Sequence, residues 1–298
     1  MSVLIRPATE RDLAACYAVW LSTEADQLAA PGVTRPPAGT VLPLHEHELR
    51  SGTLVVAELS GRVVGFGATL TRSGVLYLAD LFVLPSHHGR GIGRAMLHSM
   101  LDDAPAERFT FASTDPAARA LYATFGMQPH WDLLHLEAST SSLAVERLDA
   151  DGIVAAPATV DDVVDLDQRL TGRDRRVDLE HERDRLGFTC FLLRRAGALV
   201  GYGVAIHPQW WVPWKPNGTR VAPVIVADAR DAPGAVAATM RAALDLGATD
   251  ITTFVPSVHP ALAMLESAGF TVTGEDSYMA SSGTLVPPTT YLPPVDVP

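Results

Sequence analysis

Only two cysteines occur in 298 residues, Cys16 and Cys190, far apart in apolar surroundings. They offer neither a metal-binding spacing nor a disulfide framework, which suits a reducing compartment. Basic charge is also scarce: 23 Lys and Arg against 34 Asp and Glu leave a formal net charge of −11. That balance disfavours nucleic acid and anionic membrane surfaces and leans toward a cationic small substrate. No apolar run reaches the roughly 18 residues of a membrane span, and MSVLIRPATE has no charged region followed by an apolar one. A cytoplasmic protein with no nucleic-acid or membrane partner is the expectation. With 47% hydrophobic residues the chain can form packed cores, and its length suits two domains of about 150 residues each.

The segment that organises the rest is residues 75–101. An apolar run rich in branched and aromatic residues passes into a glycine loop and then into apolar residues at helical spacing, which predicts strand, turn and helix. In the loop Gly89, Gly91 and Gly93 alternate with His88, Arg90, Ile92 and Arg94. Successive amides can therefore turn inward at a helix N-terminus, where unpaired N–H groups and the helix dipole favour a phosphate. Arg90 and Arg94 add charge. The same pattern also occurs in plain tight turns, so the loop alone leaves both readings open.

Along the chain, a short strand at residues 3–6 leads to a helix that Thr9 can cap and whose first turn Asp12 favours. A loop rich in Pro and Gly at 31–43 precedes a short polar segment holding His45, Glu46, His47 and Glu48. A hairpin at 53–70, the organising segment, a strand at 108–112, a helix at 115–124 and a strand at 131–137 follow. Residues 139–150 read as a linker, and the same order of elements recurs over 151–282. The Pro-rich tail, 283–298, is expected to be extended.

The run Leu84, Pro85, Ser86, His87, His88, Gly89, Arg90, Gly91, Ile92, Gly93, on a strand and opening a helix, resembles the acetyl-coenzyme A signature of the GNAT superfamily of N-acetyltransferases. A second signature of that family follows from Asp115 to Met127 and includes Ala118, Leu121, Tyr122 and Gly126. The resemblance implies an α/β fold of two GNAT-like domains, each a mixed, mostly antiparallel, splayed sheet flanked by helices. The catalytic domain would be 1–138, and 151–282 a degenerate GNAT-like domain. Acetyl-CoA is the implied cofactor, its pyrophosphate held by the backbone of His88, Gly89, Arg90, Gly91, Ile92, Gly93 and Arg94. Its pantetheine arm would pair with Phe82 and Val83 as an added strand. Tyr122 takes the family's place for the acid that protonates the leaving thiolate, a role that suits a phenol.

Two positions depart from the family pattern. His88 stands where Gln or Arg is usual, and Asp115 where Asn is usual; an ionised Asp115 cannot donate to a cofactor and instead suits a helix cap. His87 and His88 lack a carboxylate or cysteine partner at useful spacing, so no metal is expected. The strand at 77–83 is similar to that of diamine acetyltransferases, but Ala79 replaces the carboxylate usual before Asp80. That loss argues against a polyamine acceptor and leaves Asp80 as the candidate to receive the substrate ammonium or orient a water. A structural hydrogen bond is the alternative role.

The second half lacks a G-x-G after Val226 to Asp228, has Pro233 where an amide would be needed, and has Leu265 at the Tyr122 position. It resembles the degenerate half of tandem GNAT proteins, including the run from Asp167 through Gly172 to Arg175. One cofactor per chain follows. The loop with Trp210, Trp211 and Trp214 suits either an acceptor pocket or a domain or subunit interface, the latter compatible with a homodimer. The charge run at 173–185 reads as a solvated helix. Direct acetyl transfer to a primary amine of a small molecule or peptide is the functional expectation; an acyl-CoA or metabolite sensor without turnover is the alternative.

Overall fold

A computed structural model describes residues 3–298, and the chain separates into two compact units. The first holds the chain up to Thr110 together with Trp211–Pro216 and Asp296–Pro298; the second holds Phe111–Trp210 and Asn217–Val295. These units do not coincide with the intervals 1–138 and 151–282, for reasons that lie in strand pairing.

In the first unit β1 (Leu4–Pro7) leads to α1 (Leu13–Thr23), α2 (Ala25–Leu28) and α3 (Pro43–Ser51). Then come β2 (Thr53–Leu59), β3 (Arg62–Arg72), β4 (Val75–Val83), α4 (Ile92–Leu101) and β5 (Arg108–Ser113), within which the unit boundary falls. Strands β1 to β4 pair antiparallel in sequence order. The turn into α1 is fixed by Asp12, which accepts from the Thr9 amide and hydroxyl and from Arg6. Leu13, Cys16 and Val19 of α1 pack on Leu54, Val56, Phe66 and Ala68 of the sheet. Pro43 starts α3 because its fixed φ and missing donor suit a first helical position.

The second unit continues with α5 (Pro116–Ala123), β6 (Gln128–Ser139), β7 (Ile153–Ala158), α6 (Val160–Thr171), α7 (Arg176–His181), β8 (Phe188–Arg195) and β9 (Ala198–Ile206). After these come β10 (Thr219–Val226), α8 (Ala232–Asp245), β11 (Asp250–Pro256), α9 (Leu262–Ser267), β12 (Thr271–Ala280) and β13 (Tyr291–Leu292). Here β6 pairs antiparallel with β11 on one side and with β12 on the other. It is the last strand of the first half by sequence order and a central strand of the second unit by pairing. Leu136 and Ala138 share one face of β6 and are buried in the core of the second unit, so that face is satisfied there.

The tail is packed. Leu292 and Tyr291 pair with Val224 and Ile225 of β10, the Val226 amide donates to the Thr290 carbonyl at 3.0 Å, and Val286, Tyr291, Leu292 and Val297 are buried. Its apolar residues, Val286, Tyr291, Leu292 and Val297, outweigh the prolines as a determinant of its course. The charge run at 173–185 is likewise buried in part. Arg175 is bound by Asp167, Tyr202 and Tyr291, and Arg220 by Glu182. Arginines paired and hydrogen-bonded in this way can leave solvent. No helix among the described residues is long and apolar enough to cross a membrane.

Candidate active site

In the first unit the site gathers on β4, its following loop and α3. β4 stays paired with β3 as far as Val83, whereas its pairing with parallel β5 is confined to Leu76 with Arg108 and Tyr77 with Phe109. The Leu78 carbonyl accepts from Thr110 Oγ1 at 2.8 Å, and beyond it the edge of β4 has no β5 partner and can receive an extended arm. The β3 register shifts between Ala68, opposite Asp80, and Thr69, opposite Leu78, so Ala79 is the extra residue of a bulge. That bulge re-aims the strand just before Asp80. The Phe82 ring turns into the core and stacks on Phe66 at 5.5 Å, so at the edge of β4 only its backbone is presented.

The loop then makes a turn over Pro85–His87 and enters α4 through Gly91. Gly89 has φ +73° and Gly91 φ +76°, left-handed values that an L side chain resists. An added Cβ at either would meet no atom within 4 Å, so these two residues face open space. A cavity of about 250 Å³ there is lined by Val3, Leu59, Arg90, Gly91, Ile92 and Ala95. The first intrahelical bond runs from the Ala95 amide to Gly91, so Gly91, Ile92 and Gly93 stand in the first turn, where a helix start presents its amides. His88 is placed differently from the sequence expectation. Its amide is spent on the Pro85 carbonyl and its Nε2 lies 2.8 Å from the Val83 carbonyl oxygen. The donor series begins at Gly89 and runs through Arg90, Gly91, Ile92, Gly93 and Arg94. Backbone amides at a helix start, with Arg90 beside them donating to the Ser86 carbonyl at 3.2 Å, make a cationic cradle of the kind that fits a pyrophosphate.

Asp80 does not stand alone. His45 and Glu48 sit three residues apart on one face of α3, and one ligand atom from each of His45, Glu48 and Asp80 lies within 4.8 Å of the others. His45 Nε2 is 3.5 Å from Asp80 Oδ2. Burial pushes the Glu48 carboxyl well above its ordinary range, with the nearby Asp80 and then Asp296 carboxylates acting in the same direction. α3 thus brings a buried carboxyl beside Asp80, where Ala79 of β4 offers none. The sequence signal was the His45 to Glu48 segment: polar residues, at helical spacing, in a helix that buries the positions carrying them.

Other residues resolve more simply. Cys16 is fully buried and burial pushes its thiol up to about 12, which makes it core rather than nucleophile. His87 bonds to Ser86 Oγ. Trp214 stacks on Trp20, which stacks on Tyr17, so the tryptophan loop packs against α1 within the first unit. Tyr122 lies in α5, in the second unit, and is largely buried. Asp115 accepts from the Ala117 amide and caps α5.

The second unit has the strand without the loop. Asp228 accepts from the Arg230 amide in a short turn, and a Cβ at Gly234 would lie 2.7 Å from the Ala150 carbonyl, so the start of α8 is covered.

Residues 20–127 match the profile of the acetyltransferase (GNAT) family. The chain is also 30% identical over 236 residues to a mycothiol acetyltransferase of Clavibacter michiganensis, spanning 73% of this chain and 76% of that protein. The chain belongs to the GNAT family. It is an acyltransferase, and the family uses acetyl-CoA as its acyl donor. A protein of Pyrococcus horikoshii described as a candidate acetyltransferase shares the fold at 18% identity and a TM-score of 0.73, covering 99% of this chain and 96% of that one. A tandem GNAT protein from the clavulanic acid biosynthesis pathway does so at 17% identity and 0.58, covering 95% and 100%. The architecture is therefore that of a tandem GNAT protein, α/β in class, whose second half has lost the phosphate loop.

Proposed function

We propose that this chain transfers an acetyl group from acetyl-CoA directly to a primary amine of a small molecule, with cofactor and acceptor bound by the GNAT motifs of its first half. The observation that carries the reading is a single stretch of chain, 80–94. It presents a carboxylate, a strand edge released from its neighbour, and a glycine loop opening a helix. Acetyl-CoA supplies an activated thioester. The amides from Gly89 to Arg94 hold its pyrophosphate, and the β4 backbone at Phe82 and Val83 aligns its arm so that the thioester lies near Asp80.

The acceptor nitrogen gives a proton to Asp80 and attacks the thioester carbonyl carbon. The C–N bond forms, the C–S bond breaks, and Tyr122, assigned by its place in the second signature, protonates the sulfur. Of the two protons an ammonium loses, one ends on the thiol and one passes to solvent. The name borne by the mycothiol acetyltransferase relatives supports a small-molecule acceptor.

The test is thiol release from acetyl-CoA across a panel of primary amines, with acetylated product identified by mass spectrometry. Amine-dependent release is expected. Tight binding of acetyl-CoA with no release for any amine would overturn the reading in favour of a sensor.

A further inference from the structure

We infer that His45, Glu48 and Asp80 together form the acceptor site of the first unit, taking a primary ammonium, with Glu48 acting as the residue that positions Asp80. The inference rests on the acetyl-transfer reading and names how its acceptor is held.

The burial gradient orders the three groups. The Asp80 side chain is 12% exposed and His45 not at all, and Glu48 is fully buried. A substrate nitrogen arriving along β4 therefore meets Asp80 first, with Glu48 and His45 beneath it. Neither ring nitrogen of His45 nor either Glu48 oxygen has a conventional hydrogen-bond partner. Four unsatisfied polar atoms at zero exposure are costly unless something joins or fills the site. The Glu48 and Asp80 carboxyls share this cluster, and burial, with the Asp80 charge acting in the same direction, favours the protonated form of Glu48. Glu48 then donates to Asp80, and Asp80 keeps the oxygen that receives the ammonium. His45, held edge-on by the Phe66 ring at 4.8 Å, borders the same oxygen.

The charged and titratable groups around Glu48 come from every element packed on it. They are Cys16 and, beyond it, Asp12 from the α1 side, His45 from α3, Asp80 from β4 and Asp296 from the tail. All the carboxylates favour a cation. As pH rises through the titration of Glu48 the pair gains a second negative charge, so KM for an ammonium acceptor falls.

The experiment compares Glu48→Gln, Glu48→Ala and Asp80→Asn, using the amine found active above and folding checked by thermal melts. Gln keeps the donor that protonated Glu48 supplies. It is expected to recover at pH 7 most of the kcat/KM that Glu48→Ala loses and to erase the pH-dependent step in KM. Ala should raise KM for the amine at least tenfold. Asp80→Asn should lose at least a hundredfold in kcat, and none of the three should change acetyl-CoA affinity by more than about twofold. Glu48→Gln as damaging as Glu48→Ala, or Glu48→Ala as active as the parent, would overturn the inference while leaving acetyl transfer intact. Turnover abolished by a chelator and restored by zinc would also overturn it, by making the three residues metal ligands.

Discussion

His88 Nε2 lies 2.8 Å from the carbonyl oxygen of Val83, tying the entrance of the phosphate loop to the end of β4. The side chain thus works inside the protein, on the strand expected to carry the cofactor arm. His88→Ala should weaken acetyl-CoA binding about five- to tenfold, the worth of one hydrogen bond of about 1 kcal/mol, and calorimetry measures it. His88→Gln, which retains a side-chain donor, should recover most of that loss.

Gly91 separates stability from binding. Its φ of +76° strains any L residue, but an added Cβ meets no atom within 4 Å. Gly91→Ala should cost only about 1–2 kcal/mol in a urea titration. The methyl group would nonetheless stand in the space left for the pyrophosphate, so acetyl-CoA affinity should fall by more than tenfold. Equal effects on the two would remove Gly91 from the cradle.

Tyr122→Phe removes the proposed proton donor to sulfur and keeps the ring. Single-turnover rates should drop at least a hundredfold with the dissociation constant of acetyl-CoA within a factor of about two. An unchanged single-turnover rate would exclude the phenol from the chemistry.

The Arg6–Asp12 pair sets part of the acid response. Its Arg6 guanidinium, helped by the Thr9 donors, holds the Asp12 carboxyl well below the usual range. A carboxyl depressed on folding contributes stability that is complete above its unfolded value of about 4 and is lost as pH falls further. Asp12→Asn should therefore lower the urea midpoint at pH 7, and the gap to the parent should close as pH approaches about 2. A gap independent of pH would show that the pair does not carry this linkage.

The parts legible in sequence are those fixed over short distances. The strand, loop and helix at 75–101 are written as a change from branched apolar residues to alternating glycines to helical spacing. Asp115 as a cap follows from its place before Pro116. What sequence did not disclose depends on pairing across distance. Nothing local to β6 tells that its partners are β11 and β12, because an alternating strand satisfies any sheet that offers the right register. The Glu48–Asp80 juxtaposition joins residues 32 apart in sequence, through packing of α3 on the sheet. Burial of Arg173, Arg175 and Glu182 likewise depends on partners as distant as Tyr202, Arg220 and Tyr291, so their segment reads as solvated when taken alone.

In the second unit β10 pairs with β11 only at Thr219 and Arg220, and shifts register after Val221, as β4 does around Ala79. The edge so freed is engaged by Thr290, Tyr291 and Leu292. Those residues make the backbone bonds an acyl carrier arm would need. The tail thus completes the β10 edge itself, and an extended arm arriving there finds its strand place already taken.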